Sequence, residues 1–203
     1  MNLIFEMLKI QKELNQLMIS NSNEPIGRND FLVALIVEFI EFIDSLPWKW
    51  WTTKKNIDLW NLKIETVDIA HFYFSYVLST VDNDLEKATE IVKQQLKFGE
   101  PIECNKDSCI RKYAYNLLTN IKPHEMLNFC INFTQLDLTT FAKIYFLKVA
   151  LNKLRTHYQP TYTRNWKGQE DNQYLQQLLD LNITSVDEAY NELEKLYKAI
   201  VAS

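Results

Sequence analysis

The chain has 203 residues, of which 47% are hydrophobic and 13% aromatic, a composition that fits a packed globular protein and excludes a disordered one. Its formal net charge of −4 argues against direct nucleic-acid binding, which needs a basic face. Because the whole chain holds three glycines, a glycine-rich phosphate loop is excluded and a turn-rich β fold is disfavoured.

Apolar residues recur at the helical period along most of the chain, which predicts an all-α helical bundle. The first predicted helix covers residues 3–20, and its apolar stripe consists of Leu3, Met7, Ile10, Leu14 and Leu17. Polar residues with Pro25 and Gly27 then predict a loop over 20–28. Further helices are predicted over about 29–45, 56–80, 83–98, 108–120, 123–134 and 137–155.

Start and stop signals define several of these boundaries. Asn83 with Glu86 has the spacing of a capping box, Pro123 suits a first helical turn, and Pro47 ends the second helix. A long loop is predicted over 156–172, and Ser185 with Glu188 opens the last helix. The simplest organisation is one all-α domain over residues 1–203.

The cysteines and the apolar runs predict where the protein is found. Cys104, Cys109 and Cys130 lack metal-binding spacing, which predicts reduced thiols in an intracellular, cytoplasmic protein. The most apolar run, 31–43, is interrupted by acidic residues, and the amphipathic N-terminus does not resemble a signal peptide. We therefore expect no membrane association.

Two pairs of acidic residues carry the strongest functional signal. Glu38 and Glu41 are three residues apart on the second helix, and Glu65 and Asp68 repeat this spacing on the third. The 23 residues between the pairs allow the chain to turn back, so that the four carboxylates converge between two helices. The second helix is apolar nearly all round, which predicts that it is buried.

A buried group of carboxylates requires a cation, because an uncompensated buried charge costs several kcal/mol. Ligands that are all oxygen atoms indicate Mg²⁺, with Mn²⁺ as the other possibility, rather than zinc. Such an ion neutralises phosphate oxygens and orients an attacking water, which predicts phosphate-ester chemistry.

Two other interpretations of the acidic residues remain open. The four side chains could be solvated or form salt bridges in a non-enzymatic helical interaction protein, as isolated acidic pairs usually are. A di-iron bundle needs a Glu-x-x-His motif on each of two helices, and only Asp68 with His71 approaches that pattern. His71 is therefore expected behind the ligands or in the core.

Together, the acidic pairs resemble the metal motif of the all-α nucleoside triphosphate pyrophosphohydrolase superfamily. Four further segments resemble the dimeric dUTPases within it. They are Gln11–Asn15 (QKELN), Ser45–Trp51 (SLPWKWW), Asn152–Arg155 (NKLR) and Tyr162–Asn172 (YTRNWKGQEDN). The tryptophan-rich and Glu-Asp-Asn segments select this branch, and the resemblance extends from about residue 7 to residue 172.

The resemblance implies hydrolysis of dUTP, and of dUDP, to dUMP, which limits uracil incorporation into DNA. It implies that Glu38 or Glu41 holds and deprotonates the attacking water, and that Gln11 and Asn15 bind the uracil edge while Trp51 packs on the base. Lys49, Arg155 and Arg164 would neutralise phosphates, and contacts to sugar or phosphate would come from Asn152, Tyr162 and Asn172.

The resemblance also implies a homodimer with dUTP as its small-molecule substrate. A related enzyme acting on another nucleotide, such as dCTP, remains an alternative, since the amides at 11 and 15 can present either donors or acceptors. Residues 100–135 carry no motif that we can assign.

Overall fold

A computed structural model describes residues 2–53, 56–102 and 107–201, and most of these residues are helical, as predicted. The chain divides into two compact units, Met1–Leu138 and Thr139–Ser203. One domain over 1–203 stays a prediction.

The first unit is built around one central helix. Its helices are α1 (Leu3–Asn21), α2 (Arg28–Asp44), α3 (Leu59–Thr80), α4 (Leu85–Gln95), α5 (Asp107–Thr119) and α6 (Pro123–Phe133). Helix α3 packs against α1, α2, α4 and α6, and it is buried along most of its length. A residue on α3 is therefore held on several sides, which suits a helix that carries two of the predicted metal ligands.

Side-chain caps explain where two of these helices begin. The Asp58 side chain accepts a hydrogen bond from the backbone N–H of Asn61 and so starts α3. Asp84 accepts one from the N–H of Lys87 and caps α4. The prediction that Asn83 caps α4 is wrong, because its φ of 61° places it in the left-handed turn before the helix.

Helix α2 is not buried all round, contrary to the sequence prediction. Phe31, Leu35 and Phe39 are buried, whereas Val33 and Val37 are 61% and 46% exposed. The apolar composition of α2 therefore covers two faces, of which the first unit buries one.

The buried face of α1 also differs from the predicted apolar stripe. Leu17 is exposed, and the buried side chains are Ile4, Met7, Leu8, Gln11 and Asn15. Two amide side chains thus occupy positions on the inner face of the helix, where α1 meets α3.

The second unit begins at Thr139, so it includes nearly all of α7 (Leu138–His157). It contains strands β1 (Asn165–Trp166) and β2 (Gln169–Glu170), the short helix α8 (Asp171–Tyr174), a 3₁₀ turn (Leu175–Leu178) and α9 (Val186–Val201). The predicted loop 156–172 therefore includes a hairpin with Asn165 opposite Glu170. Lys167 and Gly168 form its turn with φ values of 49° and 89°, a conformation that favours glycine. Before α9, the Ser185 hydroxyl accepts from the N–H of Glu188, as predicted.

The structure bears on two expectations from the sequence, one about the cysteines and one about membrane spans. Cys130 is a free, buried thiol, but Cys109 is disulfide-bonded, so the prediction of reduced thiols is wrong for Cys109. Cys104 lies outside the described residues. Within the described parts of the chain, no helix combines the length and apolar character that a membrane crossing needs.

Candidate active site

Three of the four predicted metal ligands lie together between α2 and α3. One carboxylate oxygen each from Glu38, Glu65 and Asp68 lies within 4.8 Å of the others, and all three residues are half-buried. We call this group the acidic cluster. Its all-oxygen donor set fits a hard divalent cation, and the side chains remain accessible enough for a substrate to share that ion.

The fourth predicted ligand, Glu41, is separate from the acidic cluster. It lies one turn after Glu38 on α2 and is exposed to solvent. Its carboxylate makes no hydrogen bond or ion pair with the described residues, so it is available to an ion or a water molecule.

The N-cap region of α3 holds one member of the acidic cluster in place. The Asn61 amide donates to Glu65 Oε1 over 3.3 Å and to Ser45 Oγ over 3.2 Å, which connects the start of α3 with the end of α2. Burial, and after it the charge of Glu65, raises the pKa of the Cys130 thiol on α6. Asn61 was missed in the sequence, although it lies one turn before Glu65 on the same face.

The predicted base-binding amides form a buried network that joins α1 to α3. Gln11 and Asn15 are 2% and 4% exposed, and with His71 and Ser75 they make up what we call the amide cluster. Gln11 Nε2 donates to Asn15 Oδ1 at 3.0 Å and to Ser75 Oγ at 2.9 Å. His71 Nδ1 lies 2.8 Å from Gln11 Oε1, which can only accept, so this ring nitrogen carries the proton.

These contacts determine which atoms of the amide cluster donate hydrogen bonds and which accept them. The Ser75 hydroxyl lies 2.8 Å from Asn15 Oδ1, so both polar neighbours of that oxygen are donors. The Asn15 amide nitrogen forms no hydrogen bond with the described residues, which leaves a donor to face a ligand. His71 thus contacts and orients the Gln11 amide, and its expected place behind the metal ligands stays a prediction.

The predicted tryptophan and lysine contacts lie in the segment between α2 and α3. Trp51 is 57% exposed and meets Trp48 and Trp50 edge to face, with ring centroids 5.5 and 5.4 Å apart. It therefore presents a large aromatic surface instead of filling the core. Lys49 forms an ion pair with Asp44 at the end of α2.

In the second unit, a buried carboxylate joins two of the predicted substrate-binding residues. Asp171 is fully buried and accepts from Arg155 Nε at 2.9 Å and Nη2 at 2.8 Å. It also accepts from the Tyr162 hydroxyl at 2.7 Å, while Arg155 Nη1 donates to Asn152 Oδ1 at 3.1 Å. We call Asn152, Arg155, Tyr162 and Asp171 the arginine cluster.

The pKa values of this cluster follow from its contacts. Burial lowers the pKa of Arg155, but the hydrogen bonds and charge of Asp171 outweigh that effect and raise it overall. Burial, followed by the Asp171 hydrogen bond and charge, raises the pKa of the Tyr162 hydroxyl. Arg155 therefore keeps its positive charge, and Tyr162 keeps its proton as a donor.

The other two predicted residues of this unit have different surroundings. Arg164 is exposed, and its side chain pairs with no described residue. Asn172 Oδ1 accepts from Lys148, a lysine of α7 that is only 5% exposed, over 3.2 Å. Lys148 and Asp171 were missed in the sequence, yet Lys148, Asn152 and Arg155 share one face of α7, a spacing that could have indicated the lysine.

A protein-family model described as dUTPase matches residues 3–169 of the chain. The chain belongs to the dimeric all-α dUTPase family. No curated protein sequence matches it significantly. As a dUTPase it hydrolyses dUTP and dUDP to dUMP, and the family is metal-dependent. Family membership thus excludes the non-enzymatic interpretation of the acidic residues.

The match covers both carboxylate pairs and the amide and tryptophan residues of this dUTPase. It also includes Asn152, Arg155, Tyr162 and Arg164, but it ends before Asp171 and Asn172. The fully buried Asp171, which holds Arg155, therefore emerges from the structure rather than from the family match.

Proposed function

We propose that this dUTPase cleaves the bond between the α- and β-phosphates of dUTP with Mg²⁺ held by Glu38, Glu65 and Asp68. The acidic cluster carries the proposal, since three carboxylate oxygens within 4.8 Å of one another form the all-oxygen donor set that a hard divalent cation prefers. When bound, Mg²⁺ neutralises phosphate oxygens and orients an attacking water; Mn²⁺ fits the same donors.

Glu38 and Glu41 are the candidates for the base that takes a proton from the attacking water. The water oxygen forms a bond to phosphorus, the bridging oxygen leaves, and dUMP and pyrophosphate result; dUDP yields dUMP and phosphate. Glu38 would do this as a member of the acidic cluster, whereas Glu41 has a free, exposed carboxylate one turn away.

Gln11 and Asn15 bind the base in this proposal, and the amide cluster supports uracil over cytosine. With its oxygen held by two donors, Asn15 presents its amide N–H groups outward. These match the carbonyl oxygen at position 4 of uracil and oppose the amino group at the same position of cytosine. A dCTPase would need Asn15 to present its oxygen to the base, which would reverse donors and acceptors in the hydrogen bonds with Gln11 and His71.

The segment between α2 and α3 supplies two further contacts in this proposal. The exposed Trp51 ring packs on the face of the base, because a flat apolar surface stabilises a stacked pyrimidine. Lys49 neutralises phosphate charge by exchanging its ion pair with Asp44 for the substrate.

In the second unit, Arg155 and Arg164 are assigned to phosphate oxygens, and Asn152, Tyr162 and Asn172 to sugar or phosphate. Arg155 is preorganised by its two bonds to Asp171, so little conformational freedom remains to be lost when a phosphate binds. Arg164, by contrast, is exposed and is ordered only by the ligand.

The active enzyme is a homodimer in this proposal, and it works in the cytoplasm, where deoxynucleotides are made. Support for the dimer comes from α2, whose exposed Val33, Val37 and Ile40 follow one another at helical spacing. A contiguous apolar face of this kind on a soluble enzyme marks an interface.

The decisive experiment measures pyrophosphate release from dUTP, dCTP, dTTP and UTP, each with Mg²⁺ and with EDTA. We expect fast release from dUTP with Mg²⁺ and none with EDTA. Release from dCTP in preference to dUTP would overturn the base contacts but keep the metal site. Release from dUTP that EDTA leaves unchanged would overturn the metal proposal instead.

A further inference from the structure

The last helix, α9, contacts the segment that carries Tyr162, although it lies beyond the part of the chain that matches the dUTPase family. Its Tyr197 is 8% exposed. The Tyr197 ring stacks on Tyr162 with centroids 5.6 Å apart and 29° between the planes. It also meets Tyr158 at 4.8 Å and Trp166 at 5.1 Å. Tyr197 therefore lies at the centre of a group of four aromatic rings.

The position of Tyr162 depends on side-chain contacts. Its backbone belongs to no helix or strand, so no regular hydrogen-bonding ladder holds it. Among the described residues, the Tyr162 ring stacks on Tyr197 and meets Trp166 edge to face with centroids 6.2 Å apart, and its hydroxyl donates a hydrogen bond to Asp171 at 2.7 Å. Asp171 in turn accepts two hydrogen bonds from Arg155. A continuous set of contacts thus connects α9 with the Arg155 guanidinium.

We propose that Tyr197 is a positioning residue for dUTP hydrolysis, which holds Tyr162 against Asp171 and thereby directs Arg155 towards the substrate phosphates. This inference rests on the proposed role of Arg155. It assigns a function to the C-terminal helix, which needs no contact of its own with the substrate.

The ring of Tyr197 is the part that matters, rather than its hydroxyl group. Its hydroxyl makes no hydrogen bond with the described residues, whereas its ring makes all three aromatic contacts. Phenylalanine should therefore replace it, while an aliphatic side chain fills the space without providing a flat surface for Tyr162.

The test compares Tyr197→Met and Tyr197→Leu with Tyr197→Phe, using the full-length enzyme and dUTP. Methionine is included because its flexible side chain can fill the irregular space that the tyrosine ring leaves. We expect kcat/KM to fall about tenfold in the aliphatic variants and to stay within about twofold in Tyr197→Phe, since small misplacements of a catalytic contact are costly. Tyr190→Leu is the matched control, because this tyrosine of α9 contacts His157 rather than Tyr162.

A second arm repeats Tyr197→Met in an Arg155→Met background. If Tyr197 acts through Arg155, Tyr197→Met should cost clearly less activity beside Arg155→Met than it does in the wild type, because contacts along one connected set are not additive. Unchanged activity of the aliphatic variants, or an equal additional loss beside Arg155→Met, would overturn the inference. Wild-type activity of Arg155→Met alone would instead refute the proposed role of that arginine, so the two failures are distinguishable.

Discussion

At the scale of single residues, the acidic cluster is the feature on which metal binding and catalysis depend in the proposal. Glu38, Glu65 and Asp68 bring three carboxylate oxygens within 4.8 Å of one another, a donor set that suits a divalent cation. Replacing one of these carboxylates by an amide of the same size should therefore remove the activity and leave the packing of α2 and α3 in place.

For Glu38→Gln we expect loss of Mg²⁺-dependent turnover with unchanged helix content. Without metal, the melting temperature should stay close to that of the wild type, because glutamine has nearly the same size as glutamate. The increase in melting temperature on adding Mg²⁺, which follows from binding to the folded state, should disappear. Thermal unfolding with and without Mg²⁺ measures both effects. Glu90→Gln, an exposed acid on α4, should behave as the wild type; retained turnover in Glu38→Gln would contradict the assignment.

Two variants of the second unit, Asp171→Asn and Arg164→Met, should separate an effect on stability from an effect on activity. Asp171→Asn leaves the guanidinium of Arg155 without its charged partner, which should lower the free energy of unfolding by about 3 kcal/mol. Arg164→Met removes an exposed side chain that pairs with no described residue, so it should leave stability unchanged and reduce kcat/KM. Urea unfolding and steady-state kinetics on both variants test the contrast. Equal loss of stability in both would show that burial of the ion pair has been misjudged.

At the scale of elements, hydrogen bonds across helices decided which faces are buried. Leu17 of the predicted stripe on α1 is exposed, while Gln11 and Asn15 face inward because His71 and Ser75 of α3 form hydrogen bonds with Gln11 and with the Asn15 oxygen. Helical periodicity located α1 correctly, but it treats amides as surface residues. Only the pairing with α3 makes these two side chains suitable for burial.

The cap of α4 provides a pH-dependent prediction at this scale. The hydrogen bond from the Lys87 backbone, together with the Lys87 side chain, lowers the pKa of Asp84 in the folded protein. The cap therefore stabilises the fold above the ordinary pKa of aspartate, and its contribution is lost as the pH falls through the lowered pKa. The melting temperature of Asp84→Ala should lie below that of the wild type near neutral pH, and the gap should close on acidification. A gap that is independent of pH would contradict a charged cap.

At the scale of the whole molecule, the proposed homodimer is the property that a single chain cannot display. The exposed face of α2 predicts that Val33→Glu converts a dimer into a monomer, because a buried carboxylate would lie in the interface. Light scattering coupled to size-exclusion chromatography measures the mass. Tyr115→Glu, at an exposed aromatic residue on α5, is the control that should leave the dimer intact. A monomeric wild type would contradict the proposal.

By itself, the sequence determined the helical class, most helix positions, the acidic pairs and the dUTPase family, because helical periodicity and short-range spacing are local properties of a chain. Tertiary structure decided what depends on residues far apart in sequence. It brought Glu38 to Glu65 and Asp68, oriented the amides of Gln11 and Asn15, and paired Arg155 with the buried Asp171. It also exposed one face of α2, since burial depends on which surfaces meet and not on composition alone.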